Sequence, residues 1–190
     1  DVCSSDLDPS IVMQVRLYCE DIETNILITG DTPYSVLDKI VEISKEQGNE
    51  DRLLWNIYDI PHHCSYTGLN EKGEKDTKII TPIENVQWLL EQAKEDAYMV
   101  ASCEKITEDT SPPHIIAKRA YEKYTATDVT LLATMEHKRL KDSKPSPIVF
   151  SIDENGITLN EIADYENSIV EKSSYQKVSF RNTEQFIREM

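Results

Sequence analysis

From residue 11 to residue 19 apolar and polar side chains alternate. Met13, Val15, Leu17 and Cys19 fall on one face, and Gln14, Arg16 and Tyr18 on the other. Period two is the mark of a strand, because successive side chains point to opposite faces of a sheet. Glu20-Asp21 predicts a turn, and residues 22–29 a returning strand with Ile26 and Ile28 aligned. Gly30-Asp31-Thr32-Pro33 then stops that strand and opens a helix, with Thr32 as N-cap and Pro33 at the first helical position. Val36, Leu37, Ile40, Val41 and Ser44 follow at helical spacing, and Gly48 suits a left-handed C-terminal cap. A hairpin followed at once by an amphipathic helix calls for a sheet with one face covered by that helix.

Residues 53–60 are rich in the aromatic and branched side chains that strands favour, and predict a third strand. Residues 61–78 are polar and turn-prone, and read as an irregular insertion. Thr81-Pro82 opens a short helix with Ile83, Val86, Leu90 and Ala93 inward, and residues 98–103 close the unit as a strand. Hairpin, helix, strand, loop, short helix, strand is the element order of a ubiquitin-like β-grasp. Residues 15–24 (VRLYCEDIET) and the helix start at 31–37 (DTPYSVL) resemble the opening of Ras-associating domains. Residues 54–60 (LWNIYDI) and 81–90 (TPIENVQWLL) resemble their middle and end. The resemblance implies a small GTPase of the Ras family as partner, met through basic residues on the first strands and helix. Arg16, Lys39 and Lys45 occupy those elements, although Glu20, Asp21 and Glu23 crowd the hairpin.

Charge divides the chain. Residues 1–104 hold 8 Lys and Arg against 21 Asp and Glu, a balance of −13, whereas residues 105–190 balance at −2. So acidic a first half excludes non-specific nucleic-acid binding, which requires phosphates to be neutralised by Lys and Arg. The change coincides with residues 104–113, a polar run ending in Pro112-Pro113, which predicts a linker. Two domains are therefore expected, at 10–105 and 114–190.

In the second half residues 124–137 alternate, with Val129, Leu131, Ala133 and Met135 on one face. Residues 147–152 return with Ile148, Phe150 and Ile152 aligned. Asn155-Gly156 is the strongest short hairpin signal in the chain. A strand at 174–181 and a final helical turn bearing Phe186 and Ile187 complete the pattern. Residues 147–159 (PIVFSIDENGITL) and 175–180 (YQKVSF) resemble the phosphotyrosine-binding version of the pleckstrin-homology barrel. About 77 residues from 114 is short for such a barrel, so an incomplete domain is expected. The resemblance implies a phosphoinositide or peptide ligand. Lys138, Arg139, Lys141 and Lys144, four cations within seven residues, lie where such domains hold inositol phosphates. The fold class expected is thus α+β, a β-grasp followed by a pleckstrin-homology-like barrel.

The residues do not spell out a reaction. His62-His63-Cys64 lacks the repeated spacing of a zinc site and reads as an exposed loop. Five scattered glycines build no phosphate loop, and no carboxylate pair can be singled out. Trp55 and Trp88 read as core or partly buried side chains. Four cysteines without C-x-x-C spacing suit free thiols in a reducing compartment, and residues 1–10 are too polar for a leader peptide. No stretch reaches the roughly 18 apolar residues of a membrane span. A non-catalytic, cofactor-free cytoplasmic adaptor, at most peripheral at a membrane, is the expectation. The alternative is a purely structural, FERM-like scaffold within a larger regulatory protein.

Overall fold

The computed structural model describes residues 10–71, 79–107, 111–125, 128–137 and 144–160. It is a mixed α and β structure with a five-stranded mixed sheet and a separate two-stranded one. The hairpin forms as the alternation dictates: β1 (Met13–Cys19) pairs antiparallel with β2 (Ile22–Ile28), Met13 opposite Ile28 and Cys19 opposite Ile22. Helix α1 (Tyr34–Glu46) follows, burying Leu37 and Val41. Gly48 takes the expected left-handed conformation, φ 65°. Thr32 does not cap the helix. Its hydroxyl donates to the carbonyl of Thr29, and Pro33 is the residue flanking the first turn.

From β2 onward every pairing in the five-stranded sheet is parallel. β3 (Trp55–Asp59) lies beside β2, β4 (Ala93–Ala101) beside β3, and β5 (Thr130–Ala133) beside β4. Parallel neighbours need crossovers, and these are supplied by α1, by α2 (Glu84–Leu90) and by α3 (Ile115–Tyr124). Crossovers of one hand that all advance in one direction put their helices on one face. Accordingly Leu37 and Val41 of α1, Val86, Leu89 and Leu90 of α2, and Ala117, Ala120 and Tyr121 of α3 share one core. Its floor is Leu27, Trp55, Tyr58, Met99, Ala101 and Ala133 of the sheet. The Trp55 and Tyr58 rings meet at 5.3 Å, tilted by 36°, and the Trp55 indole donates to the carbonyl of Leu89 at 3.0 Å.

This order corrects two expectations. A β-grasp inserts its closing strand beside the first one, whereas here β1 stands at the sheet's edge and β4 lies between β3 and β5. Nor do residues 104–113 separate two domains. α3 and β5 lie beyond the paired prolines, yet they belong to the sheet and core begun by β1, so a division into 10–105 and 114–190 cuts through one core. The expected insertion at 61–78 also differs over its described part: Pro61, Cys64, Ser65, Gly68 and Leu69 are buried.

The opposite face of the sheet carries Ile26, Ile57 and Tyr98 in register. Part of it is covered by the hairpin β6 (Phe150–Asp153) and β7 (Gly156–Leu159). Glu154 and Asn155 make the turn, one residue earlier than the Asn155-Gly156 signal placed it, and Gly156, at φ 104°, opens β7 opposite Asp153. Phe150 opposes Leu159 and Ile152 opposes Ile157, which gives an apolar underside, and the Phe150 ring meets Tyr98 at 5.0 Å. β5, expected to pair with this segment in a barrel, pairs with β4 instead. The strand and helical turn expected within 174–190 lie outside the described residues, so the barrel is not assembled among those described.

Candidate functional site

In open parallel sheets the loops after the carboxyl ends of the strands are the usual place for chemistry. Here they converge around Asp59, whose carboxylate accepts the backbone N–H groups of Gly30 at 3.1 Å and Thr29 at 3.4 Å. Burial raises its pKa, and those two hydrogen bonds oppose the rise. His62, His63 and Cys64, the next loop, all have positive φ, 54°, 55° and 63°. Residues without the freedom of glycine adopt that conformation at a cost, and runs of it occur where surroundings enforce them. The surroundings are visible: the His62 N–H donates to the carbonyl of Gly30, and the His63 ring contacts the Ser102 carbonyl at 2.7 Å and Asp31 at 3.6 Å. His114 donates its N–H to the Cys64 carbonyl.

These contacts tie three strand ends together without assembling a nucleophile. Cys64 is fully buried, and burial pushes its thiol well above the ordinary range, so it is held protonated. Cys103 is likewise pushed up to about 11 by burial. A thiolate, not a thiol, is the reactive form. Among the described residues no group of three or more His, Cys, Asp or Glu is arranged to hold a metal ion.

Of the cations singled out from the sequence, Arg16, Lys39 and Lys45 are each occupied locally. Arg16 on β1 bonds the carboxylate and carbonyl of Asp51, just beyond α1. This contact raises the guanidinium pKa further and lowers that of Asp51. Lys39 pairs with Glu42 at 2.6 Å on the same helix. Lys45, at the end of α1, lies 4.5 Å from the centre of the Trp88 ring and donates to Asn85 at 2.8 Å. Lys138, Arg139 and Lys141 lie outside the described residues, and Lys144 is exposed. Among the described residues, no helix is long and apolar enough to cross a membrane.

The open margin is at β1. Among the described residues no strand pairs with its outer edge. The hairpin β6–β7 leaves large apolar side chains uncovered there: Met13 is 46% exposed, Leu17 38% and Ile22 40%. Glu20 and Asp21 at the adjoining turn are exposed, while Glu23 pairs with Lys94 at 3.4 Å. Sequence alternation found the strand and both its faces. It could not show that β1 ends the sheet, because that depends on where β3 and β4 go. Comparisons with protein-family models, with curated proteins and with solved structures give no match to this chain.

Proposed function

We propose that this chain is a non-catalytic protein-interaction module that takes an extended, basic segment of a partner along β1. The carrying observation is the outer edge of β1, unpaired among the described residues and flanked by exposed Met13, Leu17 and Ile22. An unpaired edge offers a row of N–H and C=O groups to an incoming strand, and alternate side chains on that strand read the neighbouring surface. Acidic Glu20 and Asp21 beside the edge, on a chain of net charge −15, favour a partner of opposite sign. This differs from the acidic effector surface of a Ras-family GTPase, which would compete with Asp51 and Glu42 for Arg16 and Lys39.

The test is hydrogen exchange and binding with a labelled peptide of alternating apolar and basic residues. The peptide should slow exchange of outward-facing β1 amides, and Leu17→Asp should cost on the order of 2 kcal/mol of affinity, the worth of one lost apolar contact. Binding without protection of β1 would overturn the proposal. So would preferential binding of a GTP-loaded Ras-family protein that Arg16→Glu and Lys39→Glu weaken, which would restore the Ras-associating reading.

A further inference from the structure

On the helical layer, away from the β1 edge, α1 and α2 leave an open cavity of about 420 Å³ lined by Lys45, Pro82, Glu84, Gln87, Trp88 and Glu91. Of the chain's two tryptophans Trp55 is wholly buried, whereas Trp88 is only partly so and turns its ring to this cavity. The ring already carries a cation, the Lys45 ammonium at 4.5 Å. That ammonium is steadied by Asn85, whose own amide donates to Asp38 at 2.8 Å. Gln87 donates to Glu91 at 3.0 Å and so fixes one carboxylate at the rim while leaving it its charge. Among the described residues neither Glu84 nor Glu91 takes part in an ion pair.

An aromatic face attracts a cation through its quadrupole, and adjacent carboxylates add charge-assisted hydrogen bonds at the cation's edge. We propose that this cavity receives an arginine side chain of a partner polypeptide, stacked on Trp88 with Glu84 and Glu91 at its edge, in place of Lys45. Lys45 is the chain's own occupant of the site, displaced on binding. Arginine fits better than lysine because a planar, weakly hydrated guanidinium stacks flat and still directs several N–H donors outward. The ammonium is a compact, strongly hydrated point charge, and the resident lysine is one already. A polypeptide fits better than the free amino acid, since so open a cavity covers only the end of a side chain and the remaining affinity must come from elsewhere.

The measurement is titration of the folded chain with a capped Gly-Arg-Gly peptide and its lysine counterpart, followed by the Trp88 indole NMR signal. Three residues are too few to form a strand along β1, so failure of strand addition leaves this result unaffected. The arginine peptide should move the Trp88 signal, and the lysine peptide should do so more weakly. Lys45→Ala should tighten arginine binding about two- to five-fold, the range a cation–aromatic contact is worth at an exposed site. Lys39→Ala removes the same charge from the same helix and should leave affinity within about twofold, because exposed charges away from the ring are screened. The double variant Glu84→Gln, Glu91→Gln should weaken binding, and Trp88→Leu, which keeps apolar bulk and is followed through the side-chain amide signal of Gln87 on the cavity wall, should abolish it. Equal gains from Lys45→Ala and Lys39→Ala, equal responses to the two peptides, or no movement of the signal at millimolar peptide would each overturn the proposal.

Discussion

Asp59 illustrates how one side chain can hold a sheet end while working against its own ionisation. Its two backbone donors favour the carboxylate, yet burial is the larger influence and its pKa is raised. The sign of the consequence follows from proton linkage. Between the ordinary value of 3.8 and the raised one, the folded chain binds more protons at this site than the unfolded chain, so the contribution of Asp59 to stability falls as pH rises through that window. Both N–H groups reach the same oxygen, Oδ2, so an asparagine oxygen can accept both. Asp59→Asn should therefore gain stability relative to wild type as pH increases across the window. Denaturant midpoints for the two proteins over a pH series check it, and curves that stay parallel would show that burial does not govern the group. Buried Gly68 answers to packing alone: an added Cβ would stand 2.7 Å from Pro61 Cγ and 2.9 Å from the Tyr121 hydroxyl oxygen.

Among the elements, β6–β7 stands outside the five-stranded sheet and lies against one of its faces. Its four apolar side chains are only partly buried, and the Phe150–Tyr98 ring pair is its visible anchor. Such a pair is worth about 0.5–1.5 kcal/mol beyond the area it covers. Phe150→Ala should thus lower global stability modestly and speed amide exchange in the hairpin more than in β3. Equal acceleration in both would mean that the hairpin and the sheet open together. The elements also show what the sequence makes legible. β1, β2 and the hairpin around Asn155-Gly156 were readable because antiparallel pairing is local, with alternation and turn residues close at hand. β5 was readable as a strand from Leu131 and Ala133, but not its neighbour, since a parallel partner lies a whole crossover away and no turn announces it. α3 escaped notice because paired prolines are as apt to precede a helix as to end a domain. Ile116, Ala117, Ala120 and Tyr121, at helical spacing, were the available signal. Of the two surfaces proposed for binding, the strand at β1 was legible and its edge position was not. At Trp88 the residue was visible, but its cation, Lys45, comes from the preceding helix α1.

At the scale of the molecule, the consequence of sequential parallel order is that described residues on both sides of the paired prolines share one sheet and one core. Tyr58 of β3 and Tyr121 of α3 are both fully buried in one core, together with Ala117 and Ala120. The −13 and −2 balances therefore belong to two stretches of sequence that both contribute to this core. A substitution beyond the paired prolines tests this directly, because both tryptophans, Trp55 and Trp88, lie before them. Ala120→Glu places an unpaired carboxylate in the shared core, a change at the large end of single-substitution effects, on the order of 4 kcal/mol. Tryptophan fluorescence should report that loss as a lowered denaturant midpoint in a single transition. If residues 10–105 formed a separate domain, the same variant would leave the Trp55 signal at its wild-type midpoint while far-ultraviolet circular dichroism lost the contribution of α3. Coincidence of the two probes argues for one core, and their separation would restore the boundary at residues 104–113.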